Sequence, residues 1–280
     1  MLAILAGCNK KSEPAKDGIK DICGNIYSVV NIGNQTWMAE NMRCDKYDTE
    51  SEAYKKGIDY VVKMPCNDGY NYNPFFINAS DPNEWFLCDR ETDETAKSLC
   101  RQKGLSILTK EDISSLGYLY NWAAAVGLKD GAASKAQKSE FNKPRQGICP
   151  NGWHVPTAQE LNELIKAAGG EEFAGKNLRK GTGWSCPSYG EEYDDFVKGS
   201  DTYGFSLLPL VLQGGACSLM YGYLWSSSSS SEYIDDSSNV YSFAYFLLTW
   251  SVGEGAIVTD DKMMSGKSAP LPVRCVKTVD

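Results

Sequence analysis

The chain has 280 residues, 42% hydrophobic and 11% aromatic, enough apolar surface to bury a core in one large domain or two small ones, which excludes disorder as the state of the whole. A formal net charge of −8, unbroken by any long Lys/Arg cluster, repels phosphate backbones and argues against nucleic acid as a partner. Beyond the N-terminus no apolar run is long enough to cross a bilayer as a helix, so membrane attachment is expected to be covalent or peripheral.

The N-terminus supplies the attachment. Met1-Leu-Ala-Ile-Leu-Ala-Gly-Cys8 ends in Leu5-Ala6-Gly7-Cys8, which resembles the lipobox of bacterial lipoproteins, where small residues admit the processing peptidase and the Cys thiol carries the lipid. Residues 1–8 are read as a partial signal peptide with its start upstream, because the apolar stretch is shorter than a full one requires. Residues 9–22 are read as a polar tether. Residues 23–280 then form a single domain facing the periplasm or the cell surface.

Of the ten cysteines, nine remain once Cys8 is lipidated, so at least one is expected to be unpaired or intermolecular. None stands in a Cys-x-x-Cys pair, and a single histidine accompanies them. Disulfides made in an oxidising compartment fit this better than a metal centre, and no metal or cofactor is expected.

Ile26 to Ile32 and Gln35 to Met38 read as strands joined by a two-residue turn at Gly33-Asn34. From about 44 to 116 the pattern decays into Asp, Asn, Gly and Pro clusters, read as a loop-rich insertion that Cys44, Cys66, Cys88 and Cys100 staple, with Cys88–Cys100 one expected bond. Tyr118 to Val126 reads as a helix stopped by Gly127. Thr157-Ala158-Gln159-Glu160 is a capping box, with Pro156 before it. Leu161, Leu164, Ile165 and Ala168 follow on one apolar face, and Gly169-Gly170 closes the helix. Gly204 to Pro209, Tyr241 to Trp250 and Val273 to Lys277 read as strands. Helices followed by strands give an α+β class.

Several of these segments together resemble the Fibrobacter succinogenes major paralogous domain of envelope lipoproteins. They are Ile32 to Arg43, Gly117 to Trp122, Cys149 to Thr157, Gly204-Phe205-Ser206, Leu208-Pro209, Trp225 to Ser228 and Val273 to Val276. The chain departs from that pattern at Ala269 to Pro272 and in the length of the 44–116 insertion. The resemblance implies a C-type lectin-like fold, an irregular twisted sheet with two main helices and long loops. It also implies a disulfide from the first half to the last strand, here Cys149 to Cys275. The family brings no established catalytic residues, although formylglycine-generating enzymes share some of its features, so a cysteine-based enzyme on such a fold is an alternative, as is a structural envelope component.

His154, the only histidine, lies beside the helix cap and reads as a hydrogen-bonded structural imidazole. The acidic pairs Glu191-Glu192, Asp194-Asp195, Asp235-Asp236 and Asp260-Asp261 read as solvated charge. The expected function is noncatalytic binding or adhesion, to a glycan or a cell-surface protein. The candidate ligand residues are Trp225, Tyr221, Tyr223 and Tyr233, on a display loop flanked by six serines, Ser226 to Ser231. Trp225 competes with a packing role, and burial would remove it as a ligand residue.

Overall fold

The computed structural model describes residues 18–58, 117–128, 144–182, 184, 197–209, 221–234, 240–251, 253–260, 266–269 and 271–279, with backbone alone at 231–234 and 240–242. Four antiparallel sheets and four helices make it an α+β protein in these residues. The strands are β1 (Ile19–Lys20), β2 (Ile26–Tyr27), β3 (Val29–Ile32), β4 (Gln35–Met38), β5 (Leu119–Tyr120), β6 (Trp153–His154), β7 (Tyr221–Ile234), β8 (Val240–Trp250), β9 (Ala256–Thr259), β10 (Leu271–Pro272) and β11 (Val276–Lys277). The helices are α1 (Glu52–Lys55), α2 (Trp122–Val126), α3 (Ala158–Ala167) and α4 (Ala174–Leu178).

The β3–β4 hairpin turns through Gly33-Asn34, and Gly33 takes φ +61°, which glycine adopts without strain. Period-two alternation follows: Val30 and Ile32 are buried while Asn31 between them is exposed. The C-terminal β11 then inserts between β4 and β6, giving the order β3-β4-β11-β6. In α3 the Thr157 hydroxyl accepts from the Glu160 amide and the Glu160 carboxylate accepts from the Thr157 amide, so the capping box closes in both directions. Leu161, Leu164 and Ala168 are fully buried, and Gly169 and Gly170 take positive φ just past the helix.

Among the described residues, two apolar clusters form the core. One gathers Trp37, the α3 face, Leu178, Phe205, Leu224 and Leu247. The other gathers Trp122, Tyr120, Tyr223, Trp225, Phe246, Cys149 and Cys275. The Cys149–Cys275 disulfide crosses 126 residues with its alpha carbons 5.9 Å apart. A second disulfide joins Cys23 to Cys44; dispersed cysteines leave such a pairing open, and the geometry selects it.

Several expectations are corrected. The run from Tyr118 is helical only from Trp122, because Leu119–Tyr120 pairs with β10 and Asn121 caps the helix by accepting from the Ala124 amide. Of the two main helices expected, the described residues show α3, of ten residues, beside three helices of five or fewer. Gly204 to Pro209 contributes one bridge, Leu207 to Arg179, after a turn in which the Asp201 carboxylate accepts from the Ser206 amide and hydroxyl. The tether reading of 9–22 ends early, since Ile19–Lys20 pairs with β2 and Asp21 is buried. The start of the 44–116 insertion is core: Cys44, Tyr47 and Ala53 are buried. Cys66, Cys88 and Cys100 lie outside the described residues, and so does Cys8. Tyr221 to Tyr233 is a strand rather than a display loop.

Candidate functional site

The segments with the strongest sequence pattern converge in the interior. Trp122 Nε1 donates to the Ser226 carbonyl and Trp225 Nε1 to the Tyr120 carbonyl, each at 2.8 Å, so two tryptophans lock α2 and β5 to β7. Arg274 donates from Nε and Nη2 to the Asn41 side-chain oxygen, and from Nη1 to the Phe205 carbonyl. Its guanidinium lies 4.4 Å from the Phe205 ring centroid. Burial pulls this guanidinium down to about 9, against the field of Glu40 and Asp201. One arginine thus ties together the Ile32 to Arg43, Gly204 to Ser206 and Val273 to Val276 segments. The role of these three segments in the fold is architectural.

His154 is buried, with Nε2 2.8 Å from a Glu160 carboxylate oxygen and Nδ1 3.0 Å from the Thr278 hydroxyl. It clamps the helix cap to the C-terminus. Burial alone would raise the Glu160 carboxyl, but hydrogen bonds from His154 and from the Thr157 amide outweigh it and hold the group below its ordinary value. Ser226 to Ser230 are buried, with Ser226 donating to the Tyr245 carbonyl and Ser228 accepting from the Ala158 amide at the start of α3. Asp21, Cys23 and Cys44 bring potential ligand atoms within 4.8 Å of one another, yet the two sulfurs are bonded together and the carboxylate accepts from Tyr27 and Asn25.

The surface that faces outward lies at one end of the β7-β8-β9 sheet. Register sets Tyr221 opposite Trp250, Tyr223 opposite Leu248, and Leu248 opposite Ile257, and the strand pleat puts all five on one face. Trp225 is 1% exposed and Tyr223 7%, whereas Tyr221 is 40% exposed; Trp250, Leu248 and Ile257 are half-buried. The Tyr221 and Tyr223 rings stand 6.3 Å apart, Tyr223 and Phe246 5.9 Å, and Trp225 meets Phe246 edge-on at 6.1 Å. An aromatic row therefore runs from the core to solvent and emerges at Tyr221.

Burial removes Trp225 as a ligand residue: its ring fills the core and its N–H is taken by Tyr120. Tyr223 packs beneath the platform, Tyr221 stays at its surface, and the Tyr233 side chain lies outside the described residues. Sequence reading missed Leu248, Trp250 and Ile257 as companions of Tyr221. The alternation Phe246-x-Leu248-x-Trp250 carries that signal, but only the register with β7 and β9 shows which neighbours share the face.

The profile of the Fibrobacter succinogenes major domain matches residues 30–277. The chain belongs to that family. The match spans β3 to β11 and takes in Trp37, Trp122, Trp225, the Cys149–Cys275 bond and Arg274, the residues that build the domain's interior. No curated protein and no solved structure matches the chain.

Proposed function

We propose that this member of the Fibrobacter succinogenes major domain family is a noncatalytic binding module of the bacterial cell envelope, held to a membrane by lipid on Cys8, with a C-type lectin-like arrangement of its sheets and loops. Its ligand is a glycan stacked on the Tyr221–Trp250 platform. The observation that carries this reading is the exposed end of the aromatic row, a cross-strand Tyr/Trp pair flanked by Leu248 and Ile257. Flat aromatic faces suit the apolar faces of sugar rings, and rigid Tyr and Trp lose little conformational entropy on binding. The main polar side chains of the interior, Arg274, His154, Ser226 and Ser228, are meanwhile engaged in holding segments together. A cysteine-based enzyme would have to use a thiol outside the Cys23–Cys44 and Cys149–Cys275 bonds.

A glycan array with the purified domain tests the binding reading. Saturable binding that falls at least tenfold in Tyr221→Ala and in Trp250→Ala supports it; binding unaffected by both substitutions, or no glycan bound at all, removes it. Anchoring is tested separately in cells: with a complete signal peptide, Cys8→Ser should shift the protein from the membrane to the soluble fraction and abolish labelling by a fatty-acid analogue.

A further inference from the structure

On the opposite face of the same strand end lies a group of buried hydrogen-bond donors without acceptors. Arg179, just past α4, is wholly buried, and its Nη atoms donate to the Trp250, Val197 and Gly253 carbonyls and to the Thr249 hydroxyl. Every one of these acceptors is neutral. Among the described residues no carboxylate forms an ion pair with Arg179, and the nearby Glu254 is already paired with Lys176 at 2.8 Å. Burial lowers the Arg179 guanidinium to about 10, with Glu254 only partly opposing.

Among the described residues, three polar atoms here have no hydrogen-bond partner: Arg179 Nε, Trp184 Nε1 and the Ser251 hydroxyl. They are neighbours. The Trp184 ring lies 5.2 Å from the Arg179 guanidinium carbon, and Ser251 directly follows Trp250, whose carbonyl Arg179 holds. Trp184 is 5% exposed and Ser251 fully buried. A buried donor left unpaired is costly, more so when charged, so a cation with one unmet donor of its own and two beside it forms an unusual concentration of unmet demand. Two of the three atoms can only donate and the third can donate, which calls for an acceptor bearing negative charge rather than a cation or another donor.

We propose that Arg179, Trp184 and Ser251 bind a small inorganic anion of halide size. The enclosed setting favours a single-atom or comparably compact anion over a phosphate or an organic acid. Its occupancy would stiffen the backbone at Trp250 and Gly253, because Arg179 already grips both carbonyls and the Trp250 ring packs against Gly253 and Gly255.

The test uses the full chain with its disulfides intact, first in thermal unfolding at constant ionic strength with chloride replacing gluconate. A saturable rise in the unfolding midpoint is expected. Trp184→Phe, which keeps the ring and removes the donor, and Ser251→Ala should each weaken the apparent chloride affinity on the order of tenfold, while their chloride-free midpoints stay at or above that of the unsubstituted protein, since each loses an unmet donor. Crystals soaked in bromide should show an anomalous peak within hydrogen-bond reach of the three atoms. Midpoints indifferent to chloride, an equal chloride effect in Trp184→Phe, or bromide-soaked crystals without that peak would each overturn the proposal. None of these readouts depends on the glycan platform, so the two readings fail separately.

Discussion

The β7-β8-β9 sheet has two faces with different fates. On one, Leu224, Leu247, Thr249 and Ala256 are all at 0% exposure and meet α3, α4 and their neighbours. On the other, Trp225 and Phe246 are sealed beneath α2 and β5, but the row opens at Tyr221, Leu248, Trp250 and Ile257. Alternation within the strands is the same for both faces. What differs is coverage: the capped α3 helix extends over one face, while the five-residue α2 covers only part of the other. A sheet face that is apolar, aromatic and left partly uncovered is where binding costs the fold least.

The largest effect is expected where the half-open face is sealed. Breaking Cys149–Cys275 by Cys149→Ser with Cys275→Ser releases a loop of 126 residues, and loop-closure entropy puts the loss at about 5 kcal/mol. Denaturant unfolding should show it, and a loss under about 1 kcal/mol would mean that packing alone secures this half.

On the closed face, Leu247→Ala should cost about 3 kcal/mol, by lost transfer energy plus the cavity left in a filled core. The same measurement on Tyr221→Ala is expected to stay within about 0.5 kcal/mol, since its side chain emerges at the surface. If the two substitutions cost the same, the contrast between the faces is wrong.

A smaller, pH-dependent effect belongs to the clamp that holds the covering helix. Because the folded Glu160 carboxyl lies below its ordinary value, it contributes stability that is present above the usual carboxylate range, around 4.3, and is lost as pH falls through the lower folded value. Glu160→Gln should therefore flatten the fall in stability on acidification while lowering stability near neutrality. An unchanged acid profile would show that the His154–Glu160–Thr157 network does not set the pH response.

Local signals carried a good part of the fold. Gly33-Asn34 between alternating residues, the Thr157/Glu160 box and the Gly169-Gly170 stop act over a few residues, and each appears where the pattern placed it. The failures share a cause. Leu119–Tyr120 continues the helical pattern in the sequence because strand β10, which claims it, lies some 150 residues further along the chain. The serine run looked like a flexible loop because nothing local says that Ser226 and Ser228 meet Tyr245 and the start of α3.

The sequence by itself determined the family, the α+β class and the identity of α3, because these rest on motifs and short-range periodicity, and the family resemblance in turn implied the Cys149–Cys275 bond. Tertiary structure alone decided that Trp225 is core and Tyr221 surface, that Cys23 bonds Cys44, that Trp250 joins the platform, and that Arg179, Trp184 and Ser251 gather their unmet donors. Composition and spacing name the residues able to bind, but exposure and partnership are set by which distant segments pack against them.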